Sequence, residues 1–377
     1  MKVYLDNAAT TRADERVFEA MKPFLTENYG NPSSIHSHGR AIRSAIEQAR
    51  RKVAELMHAA PAEIFFTSGG TEADNTIIRH AIGAYNIKVA ITSSIEHHAV
   101  LHTLEHMEKS GIIQLCLVDL DEQGAVDYDH LEKLLSKNKS AFVSLMHANN
   151  EIGNITSLDR VAELCKAHGA FFHSDTVQSI GHVDLDLNAM KIDSIVGSAH
   201  KFHGPKGVGM MYMNADRSIP PLLIGGGQER NMRGGTENVA GIIGLAKALE
   251  LAYEEKQNNP GGLLDLKKYT LQQLEERFPK ISFNGQSADF ENSLDKILSL
   301  SIPGIEDNDM LLFNLDINGI SVSGGSACAS GTSIGSHVLD ALEIAPNSGT
   351  LRISFSKFNT TEDIDYLIER LGETIKS

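Results

Sequence analysis

Cysteine is scarce: the 377-residue chain has three, at Cys116, Cys165 and Cys328. An odd, sparse set excludes a disulfide framework and fits a reducing cytoplasm. Long apolar runs are missing too. No stretch approaches the about 20 residues of a membrane-spanning helix, and the opening "MKVYLDNAATTRADERV" lacks the apolar centre of a signal peptide. It is also acidic early, unlike an organelle transit peptide. Basic charge is in short supply, with 34 Lys and Arg against 49 Asp and Glu and a formal net charge of −15. That balance argues against nucleic acid or a membrane surface as partner. It leaves room for a small anionic ligand in a local pocket. Internal repeats, low-complexity tracts and a GxxxxGK[ST] phosphate loop are also absent.

What is present is an ordinary globular composition, 41% hydrophobic and 22% charged, sufficient for a large core. From about residue 16 to 260, helix and strand patterns alternate. "SAIEQARRKVAELM" sets Ile46, Ala49, Val53, Leu56 and Met57 at helical spacing. "KVAITSS", "IIQLCLVD", "SAFVSLMHA" and "AFFHSD" read as short strands, with helices such as "LDRVAELCKAHG" between them. This alternation predicts an α/β fold with a mostly parallel sheet covered on both faces. The polar "EEKQNNPGG" (254–262) marks the expected domain boundary. Beyond it a helix, strands such as "ILSLSIPG" and a closing helix have the look of a smaller α+β domain.

Four stretches carry candidate chemistry. In "SIVGSAHKFHGPKGVGMMYM", Lys201 sits where two short strands turn back on each other. It reads either as an exposed hairpin charge or as a Schiff-base lysine, since a desolvated amine becomes nucleophilic. In "FFHSDTVQSIGH", Asp175 ends a β-rich run, where open α/β sheets gather ligands. It is either a helix cap or, with Lys201, the carboxylate that pyridoxal phosphate needs against its ring nitrogen. Gln178 could reach the same ring's phenolic oxygen. In "FFTSGGTEADN", a strand meets Ser-Gly-Gly-Thr and then a helix, giving a plain N-cap or an anion cup of backbone N–H groups with the Thr71 hydroxyl. In "SSIEHHAVLHTLEHM", His98, His102 and His106 share one helix face, a possible metal site. His97 sits at the loop-to-helix junction, where a flat imidazole could stack on a ring and move protons.

Cys328 stands apart from the other thiols. Cys116 lies in a strand-like apolar run and Cys165 on a helix, both expected to be inert. Cys328 falls in "SVSGGSACASGTSIGS", a run of small residues unable to bury it. It is either an incidental surface cysteine or a nucleophile that attacks and then carries its cargo elsewhere.

Taken in order, "YLDNAATT", "YGNPSSIHSHG", "FTSGGTEADN", "IEHHAVL", "ANNEIG", "HSDTVQSIGH", "SAHKFHGPKGVG", "GGGQERNMRGGTENV", "SGGSACASG" and "LRISFSKFNT" span the chain. They resemble the cysteine desulfurases of the NifS/IscS type, in the class V aminotransferase group of fold-type I pyridoxal-phosphate enzymes. The resemblance implies a large cofactor-binding domain (16–260) with a mostly parallel seven-stranded sheet flanked by helices. A smaller α+β domain (1–15 and 261–377) would carry the Cys328 loop and Arg352. Lys201 would hold pyridoxal 5'-phosphate as a Schiff base, Asp175 would pair with the pyridinium, Gln178 with the ring oxygen, and His97 would stack on the ring. Thr71, Ser198 and His200 would hold the phosphate, with a backbone contact from Gly70. Thr236 would reach the phosphate of a neighbouring subunit, which implies a homodimer. Arg352, with Asn31 and Asn150, would bind the carboxylate of the substrate, L-cysteine, an arginine being suited by its bidentate fork.

On this resemblance Cys328 would take sulfur from cysteine, release alanine, and pass its persulfide to a sulfur-acceptor protein, such as an iron–sulfur scaffold or a tRNA-thiolation protein. Some relatives carry a further C-terminal extension for scaffold docking. This sequence stops at "ERLGETIKS", so docking in that mode is not expected. Three other readings stay open: a different reaction of the same fold, as in selenocysteine lyases and aminotransferases; a sulfur carrier without catalysis; and a histidine-rich metal binder.

Overall fold

The computed structural model describes residues 1–305, 307–324, 335–345 and 348–375. At the N-terminus, β1 (Val3–Tyr4) pairs in parallel with the distant β11 (Ile320–Ser321). The following strands are β2 (Ile64–Thr67), β3 (Val89–Thr92), β4 (Gln114–Leu117), β5 (Phe142–Ser144), β6 (Phe171–Asp175), β7 (Ser194–Ser198) and β8 (Gly209–Met213). They form one seven-stranded sheet in the order β2-β8-β7-β6-β5-β3-β4. Every pairing is parallel except those of β8, which runs antiparallel to β7 and β2.

Alternation with a period of two explains why these runs read as continuously apolar: a central strand buries both faces. Phe172, Ile195 and Met210 enter one core layer, and their neighbours Phe171, Val196 and Met211 enter the other. The first layer is completed by α1 (Glu15–Met21), α3 (Ser37–Leu56), α6 (Tyr128–Lys137), α7 (Leu158–His168) and α8 (Val239–Asn258), with the short α2 (Pro23–Thr26) beside α1. The second layer is formed by α4 (Gly70–Ala84) and α5 (His98–Lys109). In α3 the predicted stripe is present, with Ile46, Ala49, Val53 and Met57 buried and Leu56 half-buried. Local signals set the helix ends: the Ser157 side chain accepts from the Arg160 N–H to start α7, and Gly169 ends it at φ +67.

The polar run 254–262 extends a helix further than its composition suggests. The α8 helix continues to Asn258, and α9 (Gly262–Arg277) begins after Asn259–Gly261. The antiparallel β9 (Ser282–Phe283), β10 (Ile297–Pro303) and β12 (Ser348–Ser354) form a smaller sheet in the order β12-β10-β9. Leu298, Leu300, Leu351 and Ile353 pack there against α9, α10 (Asn308–Ile317) and α12 (Thr361–Thr374), together with Val3 and Leu5 from the N-terminus. The five-residue α11 (His337–Ala341) sits apart, on Ile95 and Ile152.

Candidate active site

Segments leaving the same edge of the large sheet bound a cavity of about 330 Å³. It lies where strand C-terminal ends gather, the usual ligand position in an open α/β sheet. Of the residues singled out in the sequence, Gly70, Thr71, His97, Asn150, Asp175, Gln178, Ser198, His200, Lys201 and Arg352 all line it. Thr236 does not. It lines a separate small cavity with Ser68, Gly207 and Arg233. Asn31 is exposed, its Oδ1 accepting the Ser33 N–H at 2.8 Å, and it too lies outside the cavity. Cys328 lies outside the described residues.

One end of the cavity is a helix start. The α4 helix opens at Gly69 with no side-chain cap, so its first-turn N–H groups have no capping acceptor. Backbone crowding shapes this end. A Cβ on Gly209 would fall 2.6 Å from the Gly69 Cα, so β8 can back onto the helix start only as glycine. Ser198 is close by: a Cβ on Gly69 would lie 4.0 Å from its hydroxyl oxygen. His200 contributes an imidazole whose Nδ1 meets Thr10 Oγ1 at 3.1 Å. Burial lowers the His200 pKa to about 4, and Lys201 adds to the shift.

Asp175 ends β6 at 5% exposure, with Oδ1 accepting the Val177 N–H at 2.9 Å. Burial raises its pKa, opposed by the nearby His97, that N–H bond and Lys201. Gln178 donates from Nε2 to the Ala8 carbonyl at 2.9 Å, while its buried Oε1 has no partner among the described residues. Lys201 donates to the carbonyls of Ala8 and Ala9 at 2.6 and 2.8 Å. Its own carbonyl is met by His182 Nε2 at 3.2 Å. His97 is the N-cap of α5, and its Nδ1 accepts the Ala99 N–H at 3.1 Å. A neutral ring accepting at Nδ1 carries its proton on Nε2. Burial lowers the His97 pKa, with Asp175 opposing and Lys201 reinforcing.

Arg352 is 1% exposed on β12. Its Nη2 donates to Asp6 Oδ1 and its Nη1 to the Asn150 carbonyl, each at 2.8 Å, while Nε has no partner among the described residues. Ser323 bridges to Arg352, backbone to backbone. Cys328 follows Ser323 by five residues in the sequence.

Several site groups escaped sequence reasoning. Glu96, directly before His97, is buried with Oε1 accepting from the Met146 N–H at 2.8 Å and the Ser93 hydroxyl at 3.1 Å; its Oε2 has no partner among the described residues. Burial, with the charge of Asp175, pushes its pKa up to about 8. Asp74 and His173 form a buried pair at 3.2 Å beneath the cavity. Burial raises the first carboxyl well above its ordinary value and lowers the His173 imidazole to about 3, which describes a neutral acid beside a neutral ring. His337 donates to the Glu96 carbonyl at 2.9 Å. Adjacency to His97 was the sequence signal for Glu96, and Asp74 and His173 stood inside the quoted runs "FTSGGTEADN" and "HSDTVQSIGH" without a role of their own.

The histidine face of α5 takes a different form from a metal site. His98 stacks on His102 with ring centroids 4.4 Å apart and meets His337 in a tilted contact at 4.5 Å. Among the described residues no three His, Cys, Asp or Glu side chains come together as metal ligands. Cys165 is buried and Cys116 half-buried, and burial raises both thiol pKa values, which makes thiolates of either unfavourable.

The aminotransferase class-V family model matches residues 3–367. A curated relative from Clostridium botulinum, a cysteine desulfurase IscS, is 44% identical over 380 aligned residues that cover 100% of this chain and 94% of that protein. A solved NifS-like protein superposes with a TM-score of 0.91 at 38% identity, covering all of both chains. A second, described as SspA in complex with cysteine, superposes at 0.79 with 30% identity over 96% of this chain and 100% of its own. The order of strands, the cavity at their C-terminal ends and these likenesses agree, and the chain belongs to the class-V aminotransferases, among the cysteine desulfurases.

Proposed function

We propose that this protein removes sulfur from L-cysteine with pyridoxal 5'-phosphate as cofactor, releasing L-alanine and leaving a persulfide on Cys328. The observation that carries this reading is one cavity lined by an amine, a buried carboxylate, an imidazole, an uncapped helix start and an arginine fork. The residues fit the cofactor. Uncapped N–H groups of α4, with Thr71, Ser198 and His200, suit a phosphate. Asp175, whose charge burial disfavours, suits a cationic ring nitrogen. The unpartnered Gln178 amide oxygen marks a polar group still to be satisfied.

When bound, the cofactor supplies an electron sink for the bonds broken at the substrate carbon. The chain supplies the rest. Lys201 offers the amine that anchors the cofactor and takes up or returns a proton at Nζ. His97 covers the ring and holds a proton at Nε2. Arg352 receives the substrate carboxylate in place of the water or protein acceptors that its fork otherwise seeks. The Cys328 thiolate attacks the substrate sulfur. The sulfur–sulfur bond forms as the carbon–sulfur bond breaks, the electron pair of the broken bond stays with the substrate, and a proton delivered to that carbon completes alanine, so cysteine and thiol become alanine and persulfide with atoms and electrons balanced.

The chain acts as a homodimer in this reading, with Thr236 serving the neighbouring subunit's phosphate site. Residues 16–260 and 1–15 with 261–377 act as two domains around the cavity. A protein acceptor takes the persulfide sulfur. Among the described residues no helix is long and apolar enough to cross a membrane, and a catalytic free thiol suits the cytoplasm.

The test is an absorbance spectrum of the purified protein followed by addition of L-cysteine, with alanine and Cys328 persulfide both assayed. A coloured protein forming the two in equal amounts supports the reading. A coloured protein forming neither moves the activity to another class-V reaction, and a Cys328→Ala variant that releases sulfide at the full rate removes the persulfide step.

A further inference from the structure

Behind the candidate active site lies a second cavity of about 650 Å³. Its walls continue directly from site residues. Phe202 and His203 follow Lys201, Ser356 and Lys357 follow the strand that carries Arg352, and Lys296 leads into β10. The junction of α8 and α9 closes the far side, with Leu263 and Leu266.

The cations around this cavity are matched, with one exception. Arg16 and Lys357 share Asp14 and Glu255. Lys256 pairs with Asp184 at 2.7 Å. Lys296 is 2% exposed, and its Nζ has no hydrogen-bond partner among the described residues. Glu291 and Asp295 line the same wall, and neither forms an ion pair with it. A buried amine without a partner is a costly arrangement that a protein of this size rarely keeps without reason. Burial holds its pKa well below the ordinary lysine value, and repulsion from Lys201 and Arg352 adds to the effect.

We propose that this cavity is a second ligand site that takes a small organic anion, its apolar body against Phe202, Leu263 and Leu294 and its head group on Lys296 Nζ. The amine nitrogen has almost no solvent-accessible surface, and a turn of its flexible four-carbon stem would bring it to the head group. A bound anion favours the charged form of this amine, which burial alone disfavours. The volume is in the range of ordinary small-molecule pockets. This site stands on the cavity and Lys296 alone and is independent of the reaction assigned above.

Calorimetric titration of the cofactor-loaded protein with octanoate tests it. Saturable binding at one site per chain is expected. Lys296→Met should weaken it about tenfold or more, as expected for loss of a hydrogen bond to a charged group. Leu263→Trp, which fills the cavity from the α9 side and leaves Lys296 in place, should weaken it too. Octanoate held at the first cavity would bind both variants as well as the parent, and that result overturns the proposal. So does a titration that never saturates. Should Lys296→Met fail to fold, undiminished binding to Leu263→Trp overturns it by itself.

Discussion

His97 Nδ1 accepts the backbone N–H of Ala99 at 3.1 Å, so one imidazole both caps a helix and faces the candidate cofactor site. The two roles separate by mutation. Asparagine is a good N-cap but has no ring. His97→Asn should keep the stability of the parent and lose turnover by about 10²–10⁴-fold, the usual share of a positioned acid or base. His97→Ala should lose the same turnover and about 1 kcal/mol of stability besides. Denaturant melts alongside alanine production measure both. Equal turnover in the parent and His97→Asn would remove the ring from the chemistry.

Arg352 reaches Asp6 and the Asn150 carbonyl through separate nitrogens of one fork. A lysine keeps the charge and loses the fork. Arg352→Lys should raise KM for L-cysteine about 10-fold to 100-fold, the worth of a hydrogen bond or two to a charged group. The fall in kcat should be smaller, because carboxylate binding is nearly uniform along the reaction. Steady-state kinetics decide the matter, and an unchanged KM would place substrate binding elsewhere.

Glu229 lies buried against Arg50, with Nη1 to Oε2 at 2.7 Å and Nη2 to Oε1 at 2.8 Å, and it also accepts the Phe66 N–H at 2.8 Å. This pair holds a loop in which Glu229, Arg230 and Asn231 all have positive φ, between 43 and 66°. Three such residues in a row are strained. Glu229→Ala takes away the carboxylate that holds both Nη atoms of buried Arg50 and leaves it Glu47, 3.1 Å from Nε, so it should cost about 3 kcal/mol in denaturant unfolding, the low end for a broken buried pair. A loss below about 1 kcal/mol would show that the loop holds without the pair.

Stability should peak near neutral pH, and the two flanks have different causes. Burial lowers His147 to about 4 from an ordinary 6.5. Between those values the unfolded chain binds a proton that the folded one refuses, so stability is lost as pH falls. Glu96 works in the opposite sense. Its folded pKa of about 8 exceeds the ordinary 4.5. The folded chain there keeps a proton that the unfolded one has released, and stability declines as pH rises through that window. Above 6.5 His147 no longer contributes, and the Glu96 share of the slope, up to about 1.4 kcal/mol per pH unit, is the difference between the parent and a variant without this carboxyl. Glu96→Gln should flatten the profile between pH 6.5 and 8, read from unfolding curves at each pH. An unaltered slope in that variant would assign it to another group.

Much of this molecule is legible from local sequence. Short β-branched and aromatic runs, the glycine turn before α4, and the junctions at His97, Asp175 and Lys201 lie where their spacing predicts, because strand alternation and helix capping act over a few residues. Ten of the residues that line the first cavity were marked by motif. Cavity membership as such is not a local property: Asn31, expected at the substrate carboxylate, lies outside this cavity, and Thr236, expected at a neighbouring subunit's phosphate, lines another one.

The partners that tune the site were illegible for a related reason. Asp6 and Arg352 are 346 residues apart in the chain, Arg50 and Glu229 are 179 apart, and Asp74 and His173 are 99 apart. Such pairs depend on the order β2-β8-β7-β6-β5-β3-β4 and on β1 crossing to β11, and periodicity within a segment leaves that order open. Residue types and their short-range spacing therefore determined the elements and the chemistry on offer. Tertiary structure decided which carboxyls burial pushes toward their protonated form and which amine lacks a partner among the described residues, because those follow from burial and from neighbours brought together over the whole length of the chain.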